Sequence, residues 1–130
     1  MVELTSKIKI TSKDILENPE EDLEIPGIGL IKVRYPTTRD KMDARIESSK
    51  IPGYDSLSSP EKSVEIARRV ALKMLVEPKI TEDEYMNSND SKMSMILDTI
   101  SMWYAVKLKE LNDKRQDLMN HFLEQMKGPS

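Results

Sequence analysis

The apolar residues in the last third of the chain keep a single helical phase from Met93 to Met126, and this limits the possible folds more than any other feature. Advancing 100° per residue, Met93, Ile96, Leu97, Ile100, Tyr104, Leu108 and Leu111 fall within about 60° of one line. After a polar interval at 112–117, Leu118, Phe122 and Met126 return in the same phase, which a broken helix would lose. The pattern predicts one helix over residues 90–126, roughly 55 Å long at the usual rise per residue. A compact globule of this chain length is only about 35–40 Å across, so the end of the helix is expected to protrude. Leu118, Met119, Phe122 and Met126 would then form an apolar stripe beyond the core, and such stripes mark binding sites.

Upstream, the pattern changes from helix to strand. Residues 7–11 alternate polar and apolar, as a half-buried strand does. Thr11 or Ser12 caps a single turn over Asp14-Ile15-Leu16, which Pro19 ends. A short strand fits Asp22–Ile25. Pro26-Gly27-Ile28-Gly29 supplies turn chemistry, and Leu30–Tyr35 is the strongest strand candidate. Thr37 is placed to cap a helix over Thr38–Ser48 with Met42 and Ile46 as its buried edge. A loop rich in Ser, Pro and Gly at 49–59 is long enough to be mobile. Ser59 at N-cap, Pro60 at N1 and Glu61 in the first turn open the next helix. Its apolar face is Val64, Ala67, Val70, Ala71, Met74 and Leu75, up to Pro78. Thr81-Glu82-Asp83-Glu84 forms another capping box, with Ile80 and Tyr85 on either side. The expected fold is one α+β domain over 1–130: a small N-terminal antiparallel sheet or hairpin (1–36), then three to four helices (37–127), the last one long.

Composition narrows the function classes. The chain has no cysteine, which excludes disulfides, zinc–thiolate sites and cysteine nucleophiles. Its 20 basic and 23 acidic residues give a net charge of −3, which argues against a nucleic-acid partner. Residues 13–24 hold six acids and one lysine, and residues 32–50 hold six bases and three acids, so the two blocks are suited to pair across a hairpin. No run approaches a membrane span, and the first residues lack the basic and apolar regions of a signal peptide. A protein made and used in the cytoplasm is expected.

The sequence points to no catalytic, metal or cofactor site. His121 is the only histidine and has no acid at ligand spacing, so it reads as a helix-surface residue. Asp83, Glu84 and Asp90 do not follow the calcium-loop pattern, and Gly27-Ile28-Gly29 lacks the remainder of a dinucleotide or phosphate loop. Arg68 and Arg69, with Lys62 and Lys73, read as a solvated helix face. Nine methionines are present, six of them (Met86, Met93, Met95, Met102, Met119 and Met126) in the last third. Met93 and Met102 suit a core, whereas Met119 and Met126 suit an adaptable interface.

The order of these features resembles the phage and prophage tail assembly chaperones. The resemblance is carried by Thr11-Ser12-Lys13-Asp14-Ile15-Leu16, an acidic spacer, and Leu23-Glu24-Ile25-Pro26-Gly27-Ile28-Gly29-Leu30-Ile31-Lys32-Val33-Arg34-Tyr35-Pro36-Thr37. The apolar Val70–Leu75 and the connector Glu77-Pro78-Lys79-Ile80-Thr81-Glu82 continue it before the last helix. The chain departs from the pattern in lacking a Trp-Gly-Gly turn and in the length of that helix. The resemblance implies a non-enzymatic protein of a tailed virus or prophage, working in the host cytoplasm. Such a protein binds the tape-measure protein, helps tail-tube subunits polymerise around it, and often has a longer frameshifted form. It carries no catalytic residue and no cofactor. Self-association through the same helix face is compatible with it. The competing readings are a small DNA-binding viral regulator using Arg68, Arg69 and the basic block, an enzyme subunit, and a structural head–tail connector.

Overall fold

A computed structural model describes residues 9–127. In chain order the elements are α1 (Ser12–Leu16), β1 (Glu21–Ile25), β2 (Gly29–Val33), α2 (Thr38–Ser49), a 3-10 turn (Tyr54–Ser56), α3 (Ser59–Met74), β3 (Leu75–Glu77), α4 (Glu82–Met86) and α5 (Asp90–Met126). The architecture is α+β: a three-stranded antiparallel sheet on the N-terminal side, and helices of which the last is long. Contacts divide the chain into two compact units. One is Asn18–Met102, and the other holds, among the described residues, 9–17 and 103–127.

The hairpin forms where turn chemistry allows it. Ile28 N–H donates to the Ile25 carbonyl at 3.0 Å, while Gly27 and Gly29 take φ of 77° and 144°, values closed to most side chains. Leu23 lies opposite Ile31, and Ile25 opposite Gly29. Ile25, Ile31 and Val33 are buried, whereas Asp22, Glu24 and Leu30 are exposed. Asn18 anchors the far end of the hairpin. Its side-chain amide donates to the Tyr35 carbonyl at 2.8 Å and accepts from the Tyr35 N–H at 3.0 Å.

Two strand expectations change. The strand expected at 7–11 lies partly outside the described residues, and residues 9–11 form no strand. A third strand, not expected, follows α3 directly: β3 pairs antiparallel with β2, Val33 opposite Leu75 and Lys32 opposite Glu77. The Arg34 N–H also donates to the Met74 carbonyl at 3.0 Å, so the chain leaves α3 straight into the sheet. Leu75 is therefore both the C-cap of α3, its N–H donating to the Leu72 carbonyl, and the first residue of β3.

Four helices begin on the same motif. The hydroxyls of Thr11, Thr37, Ser58 and Thr81 accept from the backbone N–H three residues on, and Asp14, Asp40, Glu61 and Glu84 reach back to the cap N–H. In α3 the cap is Ser58, one residue before the expected Ser59, which puts Pro60 at the second helical position. The long helix spans Asp90–Met126, as its phase predicts, and the Lys92 N–H is capped by the Asn89 side chain at 3.1 Å.

The buried faces of α2 and α3 are not the expected ones. Met42 and Ile46 are 59% and 51% exposed, and the helix instead buries Ala44 and Ser48. Those two lie two residues further on, about 200° around the helix axis. Small side chains let α2 approach α3 closely, and Lys73 pairs with Glu47 across the edge at 3.0 Å. In α3, Val64 and Ala67 are exposed, while Ala71, Met74 and Arg69 are buried. Met93, Leu97 and Ile100 of α5 complete the core, but Met102, expected with them, is 70% exposed, because it lies on the opposite side of the helix. The expected loop at 49–59 holds the 3-10 turn, led by Gly53 at φ 82° and flanked by Lys62 over the Tyr54 ring at 5.3 Å.

Two predictions follow from this packing. Ser48 is fully buried and its hydroxyl has no partner, so Ser48→Ala should raise the unfolding free energy by up to about 1 kcal/mol in urea titrations. The second concerns pH. Burial alone would raise the Asp40 carboxyl, but hydrogen bonds from Arg34 at 2.7 Å and from Thr37, with the Arg34 charge, hold it below its usual value. A folded-state value below the unfolded one gives stability that is present above the unfolded value of about 3.9 and lost as pH falls through the folded value. Asp14, Glu61 and Glu84 are lowered by their cap hydrogen bonds in the same sense. The thermal midpoint should therefore fall as pH drops from about 5 to below 3, and Asp40→Asn should flatten that slope while lowering stability at pH 7.

Candidate protein-binding face

From Trp103 onward, α5 belongs to the second compact unit and carries the residues expected to bind a partner. Met119 and Phe122 are about half exposed, Met126 is 82% exposed and Leu118 is half-buried. Leu111 and Leu123 are exposed as well, and Leu108 is partly so, whereas Val106 is exposed on the opposite side of the helix. Leu108 and Leu111 share the phase of Leu118, Phe122 and Met126, and Leu123 lies about 100° from that line. His121 is half-buried, with its ring tilted at 56° to the Phe122 ring and 6.3 Å from it. The face is thus a helix side of Leu, Met and Phe in water. An apolar surface of this kind lowers its free energy when a complementary surface covers it.

The charged groups at the centre of the first unit are paired with one another, although the Nε atoms of Arg68 and Arg69 are buried without a hydrogen-bond partner. Arg69 was expected on a solvated face, yet its side chain is 1% exposed. Its guanidinium meets Glu65 at 3.2 Å and Glu82 at 2.5 Å, and sits 5.3 Å from the centre of the Tyr85 ring. The sequence could not place it there because Glu82 and Tyr85 come from a different helix, α4. Arg68 lies over the same ring at 5.7 Å and reaches Asp90 at 3.4 Å. Burial raises the Tyr85 phenol above its ordinary value; the two arginines oppose that shift, and Glu65 and Glu82 add to it. A guanidinium neutralised in this way is not available to a phosphate backbone.

Two clefts lie in the same unit. One of about 410 Å³ is lined by Arg34, Asp40, Glu47, Lys73, Lys79 and Glu82, among others. Within it Arg34 is paired with Asp40, and Lys73 with Glu47. The other, of about 350 Å³, lies between Ile51, Leu57, Arg68, Tyr85, Met86 and Asp90. Among the described residues, no group of three or more His, Cys, Asp or Glu side chains could hold a metal ion. No helix among them is long and apolar enough to cross a membrane.

Comparison with protein-family models, curated proteins and solved structures finds no match to this chain.

The Arg69 cluster carries a direct prediction. Arg69→Ala removes a buried cation together with the packing of its stem, and should cost about 3 kcal/mol in urea denaturation. Glu82→Gln leaves the buried guanidinium with Glu65 as its remaining carboxylate among these contacts, and should cost about 2 kcal/mol, less than Arg69→Ala because the Gln amide oxygen can still accept its hydrogen bond.

Proposed function

We propose that this protein is a non-enzymatic binding factor of the tail assembly chaperone type, acting in the host cytoplasm on the tape-measure protein of a tailed virus or prophage. The observation that carries the reading is the exposed Leu–Met–Phe side of α5 between Leu108 and Met126. A helix side of this kind suits contact with hydrophobic helical segments of another protein. It would cover them until tail-tube subunits assemble around them.

The local structure of the motifs supports the resemblance. The turn at Ser12–Leu16, the acidic strand ending at Ile25, the glycine turn, the strand ending at Val33 and the Thr37-capped helix occur as successive elements. The connector from Glu77 to Glu82 leads from β3 into a capped helix. On the DNA-binding alternative, the burial of Arg69 between carboxylates counts against the cation on which that reading relies.

The test is co-expression with the tape-measure and tail-tube proteins encoded alongside, followed by purification of the complex. The tape-measure protein should co-purify. Leu118→Asp combined with Phe122→Asp should weaken the association at least about tenfold, since each removes an apolar anchor worth more than 1 kcal/mol, while helical content stays unchanged. Retention of the partner by a folded double variant would place the site elsewhere. Failure of the wild-type chain to retain the tape-measure protein would remove the chaperone reading.

A further inference from the structure

The charges on the second part of α5 are segregated around its apolar seam. At 100° per residue, Tyr104, Leu108, Leu111, Leu118, Phe122 and Met126 lie within about 40° of one line. Arg115 falls inside that strip, and Lys107 and Lys114 lie along one margin, within about 80° of the line. The acids of this segment, Glu110, Asp113, Asp117 and Glu124, all lie about 120° or more away, on the far side. There Asp113 meets Lys109 at 3.4 Å. Both Arg115 within the seam and Lys114 at its margin are exposed. The chain as a whole carries net charge −3, so this basic margin runs against its overall balance.

We infer that this seam takes an amphipathic helix of another protein whose own apolar stripe is bordered by Glu or Asp, with one acid opposite Arg115. The inference rests on the protein-binding reading of this face and names the partner's chemistry. A second copy of the chain is a poor occupant. Laid along the seam in parallel register, it sets Arg115 against Arg115. Laid antiparallel about the middle of the seam, it also sets the lysine margins against each other, and in both cases the acids face away. Flanking charges of this kind set partner choice in paired helices. An acidic rim converts the repulsion into attraction, and it also steers the encounter.

The probes are two peptides of three heptads with Leu at both seam positions. One carries Glu and the other Lys at the four flanking positions of each pair of turns. Each is titrated into the full-length chain at low salt by fluorescence anisotropy. The Glu peptide should bind about tenfold more tightly, and the difference should shrink as salt rises. Lys114→Glu with Arg115→Glu should reverse the order, and Leu118→Asp with Phe122→Asp should abolish binding of both. Equal binding of the two peptides, still lost in the Asp double variant, would overturn the acidic partner and leave the face as a binding site. Binding of neither, or binding indifferent to the Asp double variant, would overturn both. Sedimentation of the chain alone as a dimer that the Asp double variant dissociates would make a second copy the occupant and overturn the inference.

Discussion

A guanidinium with 1% of its side chain exposed is costly unless charges and hydrogen bonds compensate it, and the arrangement of the first unit depends on how Arg69 is compensated. The compensation comes from two places: Glu65 one turn back on α3, and Glu82 and Tyr85 on α4. Because one acid and the ring belong to α4, the same contact that stabilises the charge holds α4 against α3. The Thr81 cap starts α4, and Asn89 caps the start of α5 three residues after it ends. Arg68 and Asp90 add a second link between α3 and the start of α5. Removing the cation would therefore loosen the point from which α5 begins, in addition to any loss of packing.

The sheet is organised by a different constraint. Its middle strand, β2, has to satisfy backbone groups on both edges. β1 does so through a tight glycine turn, and β3 does so by leaving α3 without a loop. The Asn18 side chain, bonding both backbone groups of Tyr35, stands in for a further rung of the ladder. Ile25, Val33 and Leu75 then share the core with Met93, Leu97 and Ile100.

What could be read from the sequence was local. The capping boxes use residues three apart, the hairpin turn uses two neighbouring glycines, and the length of α5 follows from an unbroken phase. All three were legible from short-range chemistry, apart from a one-residue shift at Ser58. The missed features are long-range or depend on small residues. β3 is only Leu75-Val76-Glu77, apolar like the helix before it, and only its partner on β2 makes it a strand. The close face of α2 is Ala44 and Ser48, which a search for large apolar residues passes over in favour of Met42 and Ile46. Arg69 looks like any surface arginine until Glu82, thirteen residues away, is brought to it. That Leu118, Phe122 and Met126 share one side of α5 was legible from phase. The basic margin beside them was not, because charge counted along the chain is blind to position around a helix.

The central claim is that α5 from Tyr104 to Met126 is where this protein meets its partner. Hydrogen–deuterium exchange, compared between the free chain and its purified complex, tests it most directly. The account predicts slower exchange on binding, concentrated in residues 104–126, with the caps at Thr37, Ser58 and Thr81 unchanged. Unaltered exchange across 104–126, with protection appearing instead in the unit of residues 18–102, would contradict it.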